Sequence, residues 1–153
     1  MSFGEKILDY KEDILKDLDE LLKIQSVSSK SQEDASEALK FILKRAEEMG
    51  LTTENVDDIA GHAEYGKGDE IAAVLSHVDV VPSGDGWSVE PFALTRKNGR
   101  LYGRGIADDK GPAIIALYCL KALKDSGVPF KRRLRTIFGA SEEVGMADMD
   151  RYF

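Results

Sequence analysis

Two short apolar runs on either side of a long one constrain the fold more than anything else in this 153-residue chain. Ile71-Ala72-Ala73-Val74-Leu75 is continuously apolar and reads as a strand covered on both faces. Residues 134–139 read as a second covered strand. Between them, residues 112–124 have helical length and apolar positions nearly all round, with Pro112 in the first turn, where its missing N–H costs nothing. That helix is expected to be deeply packed. The implied class is α/β, a mixed and partly parallel sheet flanked by helices.

The flanking segments fit this plan. From residue 3 to 23, Ile7, Leu8, Ile14, Leu15, Leu18, Leu21 and Leu22 fall on one face of a helix whose other face is charged. Ser29 or Ser31 caps a second helix running to about Met49, with Ala38, Leu39, Ile42, Leu43, Ala46 and Met49 inward and Gly50 as its stop. Residues 52–56 and 61–65 read as short strands. Residues 94–96 and 100–102 flank Lys97-Asn98-Gly99, a hairpin signal because Asn-Gly tolerates positive φ. Residues 147–153 begin an element without finishing it. No repeat or linker divides the chain, and its length fits one domain.

Charge narrows the partners. The net charge is −7, and residues 1–58 account for all of it, with 15 acidic against 8 basic side chains. An acidic chain repels the phosphate backbone it would have to neutralise, so nucleic acid is an unfavoured partner. The run Lys131-Arg132-Arg133-Leu134-Arg135 reads instead as a solvated strand entry. The longest apolar segment is far shorter than a membrane span. The single cysteine, Cys119, rules out an intramolecular disulfide and reads as a buried small hydrophobe. With no signal peptide at the N-terminus, the expected location is cytoplasmic.

Three carboxylate-bearing segments each come after a predicted strand or a glycine turn. His77 and Asp79 stand two apart after the first apolar run, where a carboxylate beside an imidazole would fix its tautomer. Asp108 and Asp109 come after a Gly-x-Gly turn and precede the apolar helix; taken alone, they read equally well as helix caps. Glu142 and Glu143 come after the second apolar strand; taken alone, they read as a surface pair. Open α/β sheets place their sites beyond the carboxyl ends of strands, and like charges gathered there need a cation.

Residues 75–87, 101–112 and 141–144 together resemble the M20 family of metallopeptidases. Val80-Val81-Pro82, Gly86-Trp87, Pro91-Phe92, Leu101-Tyr102-Gly103-Arg104-Gly105 and Asp108-Asp109-Lys110-Gly111 carry the likeness. It is strongest to the bacterial dipeptidase V branch, the Xaa-His dipeptidases related to carnosinases. The resemblance implies a site with two zinc ions and a dipeptide substrate. It implies His77 as a ligand of one zinc, Asp108 as the carboxylate bridging both, and Glu143 as a ligand of the second. Asp79 would orient His77, and Glu142 would be the general base acting on a bridging water. The resemblance also implies a cis peptide between Asp108 and Asp109, and a non-ligand strand position for His62.

Family members are longer than this chain. They add a further acidic ligand, a final histidine, and a lid or dimerisation domain. Residues 1–153 are therefore expected to be part of a catalytic domain, binding zinc weakly and inactive alone. A related deacylase or desuccinylase, or a non-catalytic truncated gene product, remain as alternatives. An open sheet edge and the terminal Met146, Met149, Tyr152 and Phe153 would lack partners, so a homo-oligomer is expected.

Overall fold

The computed structural model describes residues 3–153. Two helices open it, α1 (Phe3–Leu8) and α2 (Lys11–Lys23). A single helix was expected here. The chain breaks at Asp9 and Tyr10 because this segment is anchored to the far end of a later helix. Tyr10 Oη donates to Asp125 Oδ2 at 2.6 Å, and Lys6 Nζ donates to the Asp125 carbonyl. Helix α3 (Gln32–Glu48) starts as expected, with Ser31 Oγ accepting from the Asp34 N–H at 3.1 Å.

Strands β1 (Thr52–Val56), β2 (Ala60–Tyr65), β3 (Ile71–His77) and β6 (Arg133–Gly139) form one sheet in the order β1-β2-β6-β3. β3 runs parallel to β6, and the other neighbours are antiparallel. β4 (Thr95–Lys97) and β5 (Arg100–Tyr102) form a separate hairpin, with Asn98 and Gly99 at φ 53° and 73°. Helix α4 (Lys110–Asp125) makes the crossover from β3 to β6, and α5 (Ala147–Tyr152) ends the chain. This is the expected α/β class with a mixed, partly parallel sheet.

The core lies between the sheet and α2, α3 and α4. Leu21, Leu22, Leu39, Ile42, Ile114, Leu117 and Phe138 are fully buried there. Gly61 has room for no side chain: a Cβ would sit 2.8 Å from Leu43 Cδ1 and 2.6 Å from the Glu54 carbonyl oxygen. α5 covers part of the opposite face, where Tyr152 stacks edge-on against His62 at 5.8 Å between ring centroids.

Four expectations need correction. β3 is not covered on both faces. Among the described residues it is an edge strand paired with β6 alone, and Ile71, Val74 and Leu75 are 42%, 55% and 50% exposed. α4 is buried on most sides, but Ile115 is 45% exposed. Cys119 is half-buried rather than buried, although burial still raises its thiol pKa. Tyr152 has partners: its hydroxyl lies 2.8 Å from His62 Nδ1 and 3.0 Å from Arg135 Nη1. Phe153, at 88% exposed, is uncovered as expected.

The basic run entering β6 is largely neutralised. Arg135 meets its cross-strand neighbour Glu64 at 2.6 Å, and Arg132 meets Glu70 at 2.6 Å. No described helix is long and apolar enough to cross a membrane.

Candidate metal centre

The parallel register places His77, the last residue of β3, opposite Gly139, the last residue of β6. The segments beyond the two strands therefore emerge at the same end of the sheet. Residues 78–80 leave β3 through bonds from Val78 N–H to the Gly139 carbonyl and from Val80 N–H to the Ser26 carbonyl. Beyond β6, Glu142–Val144 form a single 3-10 turn. The turn before α4 delivers Asp108 and Asp109 to the same place, joined by the cis peptide that the family resemblance implied.

His77, Asp108 and Glu143 come together, each offering one ligand atom, with these atoms all within 4.8 Å of one another. His77 Nε2 lies 3.0 Å from Asp108 Oδ1 and 3.8 Å from Glu142 Oε2. Its other ring nitrogen, Nδ1, lies 3.0 Å from the carbonyl oxygen of Asp79 and 3.3 Å from Asp79 Oδ1. Asp79 thus stands behind His77, leaving Nε2 directed at the carboxylates. His77 is mostly buried, while Asp108 is well exposed. One imidazole nitrogen and two carboxylates are donor types that divalent metals take, and these three groups are close enough to meet at a metal centre.

Asp79 does more than orient the imidazole. Fully buried, it accepts from the backbone N–H of Glu142 at 3.2 Å and of Glu143 at 3.1 Å. Ser28 Oγ donates to it at 2.6 Å. One carboxylate therefore ties the β3 end to the turn after β6.

The electrostatics stem from crowded carboxylates. Burial disfavours the charged His77, but hydrogen bonds to Asp79 and Asp108 outweigh it and push its pKa up to about 9. Burial also opposes the charge on Asp79, and is outweighed by His77, Ser28 and the Glu143 N–H, which leave its pKa lowered. For Glu143, burial raises the pKa; His77 opposes this, and the charges of Asp108, Glu142 and Asp79 add to it.

The capping alternative for the Asp pair does not hold. Asp109 occupies the N-cap position of α4 without capping it, and its Oδ2 instead accepts the His77 N–H at 3.0 Å. Asp85, in the segment 85–92 that holds Gly86-Trp87 and Pro91-Phe92, is exposed and lies outside the group formed by His77, Asp108 and Glu143. That stretch is held by Trp87 Nε1 donating to the Ser83 carbonyl at 2.8 Å, with the Arg104 guanidinium 5.6 Å from the Trp87 ring. His62 lies within the sheet against Tyr152, away from the cluster.

Sequence reasoning missed Ser28, Lys110 and the anchoring role of Asp109. Ser28 sits in a serine-rich connection with no pattern to single it out. Lys110 had a signal: a cation in the first turn of an apolar helix opposes the helix dipole. It is fully buried, with Nζ donating to the carbonyls of Leu21 at 2.9 Å and Ile24 at 2.6 Å. Burial pushes its pKa down to about 7, against the pull of Asp79.

Comparison with known proteins gives a concordant picture. The chain is 42% identical to YtjP of Bacillus subtilis (strain 168), a provisionally named dipeptidase, over all of this chain and 35% of that protein. The structure superposes on the dipeptidase Dug1p from Saccharomyces cerevisiae with a TM-score of 0.84 and 26% identity, over 98% of this chain and 36% of that one. It superposes on the M20 family metallo-carboxypeptidase Sso-CP2 from Sulfolobus solfataricus with a TM-score of 0.79 and 26% identity, over 91% of this chain and 33% of that one. The chain thus spans about a third of the length of the relatives it matches. Residues 73–152, more than half of the sequence and including His77, Asp108 and Glu143, match the peptidase family M20/M25/M40 pattern, and the chain belongs to that family.

Proposed function

We propose that residues 1–153 form part of the catalytic domain of a zinc-dependent dipeptidase acting on Xaa-His dipeptides. The observation that carries the reading is the convergence of His77, Asp108 and Glu143 beside Glu142. The dipeptidase names of its relatives support the substrate class. In this reading His77 and Asp108 would hold one zinc, and Asp108 and Glu143 would hold another. Bound zinc would polarise the scissile carbonyl and lower the pKa of water.

The remaining chemistry belongs to the chain's own side chains. Glu142 is partly exposed and its carboxylate reaches to 3.8 Å from His77 Nε2. It takes a proton from the attacking water and returns it to the leaving amine as the peptide bond breaks. Asp79 keeps His77 Nε2 free for its task by holding Nδ1, and fixes Glu142 and Glu143 through their N–H groups.

Among the described residues, three ligand groups converge for two ions, whereas a zinc site ordinarily has three or more protein ligands of its own. The 153-residue chain by itself therefore binds zinc weakly and does not turn over dipeptides. Calorimetric titration with zinc tests the reading. Weak binding that is lost in His77→Ala, Asp108→Ala and Glu143→Ala supports it; equal binding by all four proteins contradicts it. Turnover of an Xaa-His dipeptide by the isolated chain, abolished by Glu142→Ala, would refute the statement about the isolated chain. The proposed location is the cytoplasm.

A further inference from the structure

We propose that Asp148 is a positioning residue for Glu142 and Glu143, acting through Ser141; the inference rests on the metal-centre reading above. Asp148 is 1% exposed, although Ala147 before it and Asp150 after it are exposed. Its carboxylate is occupied by backbone N–H groups. Oδ2 accepts from Ser141 at 2.9 Å and Oδ1 from Met149 at 2.8 Å. In return the Asp148 N–H donates to Ser141 Oγ at 3.0 Å. This reciprocal pair closes residues 141–148 into a buckle, and Glu142 and Glu143 lie inside it.

The buckle is fixed from both sides. Within it, the Met146 N–H bonds the Ser141 carbonyl at 3.0 Å, and Gly145 and Met146 reverse the chain at φ 109° and 59°. On the β3 side, Asp79 holds the N–H groups of Glu142 and Glu143. On the β6 side, Asp148 holds Ser141, the residue before them. The end of β6 is shaped to admit it: a Cβ on Gly139 would lie 2.2 Å from Asp148 Oδ2. Asp148 also lines a cavity of about 200 Å³ together with His77, Asp109 and Glu142. A buried carboxylate is costly, and a six-residue helix gains little from one. The structure it stabilises is the turn that presents the two glutamates.

The test uses the 153-residue chain with cobalt(II) as the probe ion and compares wild type, Asp148→Asn, Ser141→Ala and His77→Ala. Asp148→Asn and Ser141→Ala should each weaken cobalt binding by about 10-fold, the lower end of losses seen when outer partners of ligands are changed. Both should alter the visible cobalt spectrum, and the double variant should lose little more than either single one. Folded variants that bind cobalt as wild type does, with the same spectrum, would overturn the proposal. If wild type binds no better than His77→Ala, the metal-centre reading itself has failed. Amide NMR then decides the positioning role alone: shifted Glu142 and Glu143 resonances with faster exchange support it, and unchanged ones overturn it. Ser141→Ala removes only a hydroxyl and keeps the test open if Asp148→Asn does not fold.

Discussion

His77 carries two opposing influences, burial against the charged ring and hydrogen-bonded carboxylates for it, and the carboxylates prevail. Its folded pKa of about 9 exceeds the ordinary 6.5, so its contribution to stability is complete below about pH 6.5 and lost as the pH rises through about 9. The stability gap between wild type and His77→Gln should narrow over that window in urea denaturation without added metal, and the His77 ring resonance should titrate near the top of it. A constant gap, with a ring titrating near 6.5, would contradict the geometry. Lys110 makes a second prediction. Lys110→Ala removes a buried stem and strands the Leu21 and Ile24 carbonyls, so it should cost about 2–4 kcal/mol. A loss below about 1 kcal/mol would show that those carbonyls find other partners. At this scale the convergence of His77, Asp108 and Glu143 was legible, because each comes after a strand or turn within a recognisable short motif. Ser28 and Asp148 were not, because their partners lie 51 and 7 residues away with no periodic relation to them.

Helix α3 and the β4–β5 hairpin were legible as elements because local chemistry decides them. Ser31 accepts the Asp34 N–H, and Asn98-Gly99 takes the positive φ values that a tight hairpin needs. Ser31→Ala should therefore cost about 1 kcal/mol in thermal or urea unfolding, and no loss would mean that the cap is satisfied by water. The break between α1 and α2 was illegible because its cause, Asp125, lies 115 residues from Tyr10. The cover expected over β3 was inferred from the apolar character of its sequence. An apolar strand implies that cover is needed, but not that these 153 residues supply it, and Ile71, Val74 and Leu75 stand exposed.

As a whole molecule, the chain buries one continuous core beneath the sheet while leaving the β3 edge open and apolar. Open edges of this kind pair with other chains, so self-association through β3 is the expected behaviour. Light scattering at micromolar concentration should show species larger than a monomer, and Val74→Lys should reduce them; a clean wild-type monomer would contradict this. The gathering of the candidate residues was legible because their segments come after predicted strands or a glycine turn, where open α/β sheets place their sites; the strand order that brings β3 beside β6 was not. Whether that end is a metal centre is decided by titration with paramagnetic manganese(II), followed by NMR. A metal centre there predicts early broadening of the His77 ring and of the Asp108, Glu142 and Glu143 amides, while the His62 ring, packed against Tyr152, stays sharp. Broadening centred instead on His62 or on the acidic helices α2 and α3, with His77 unaffected, would contradict it.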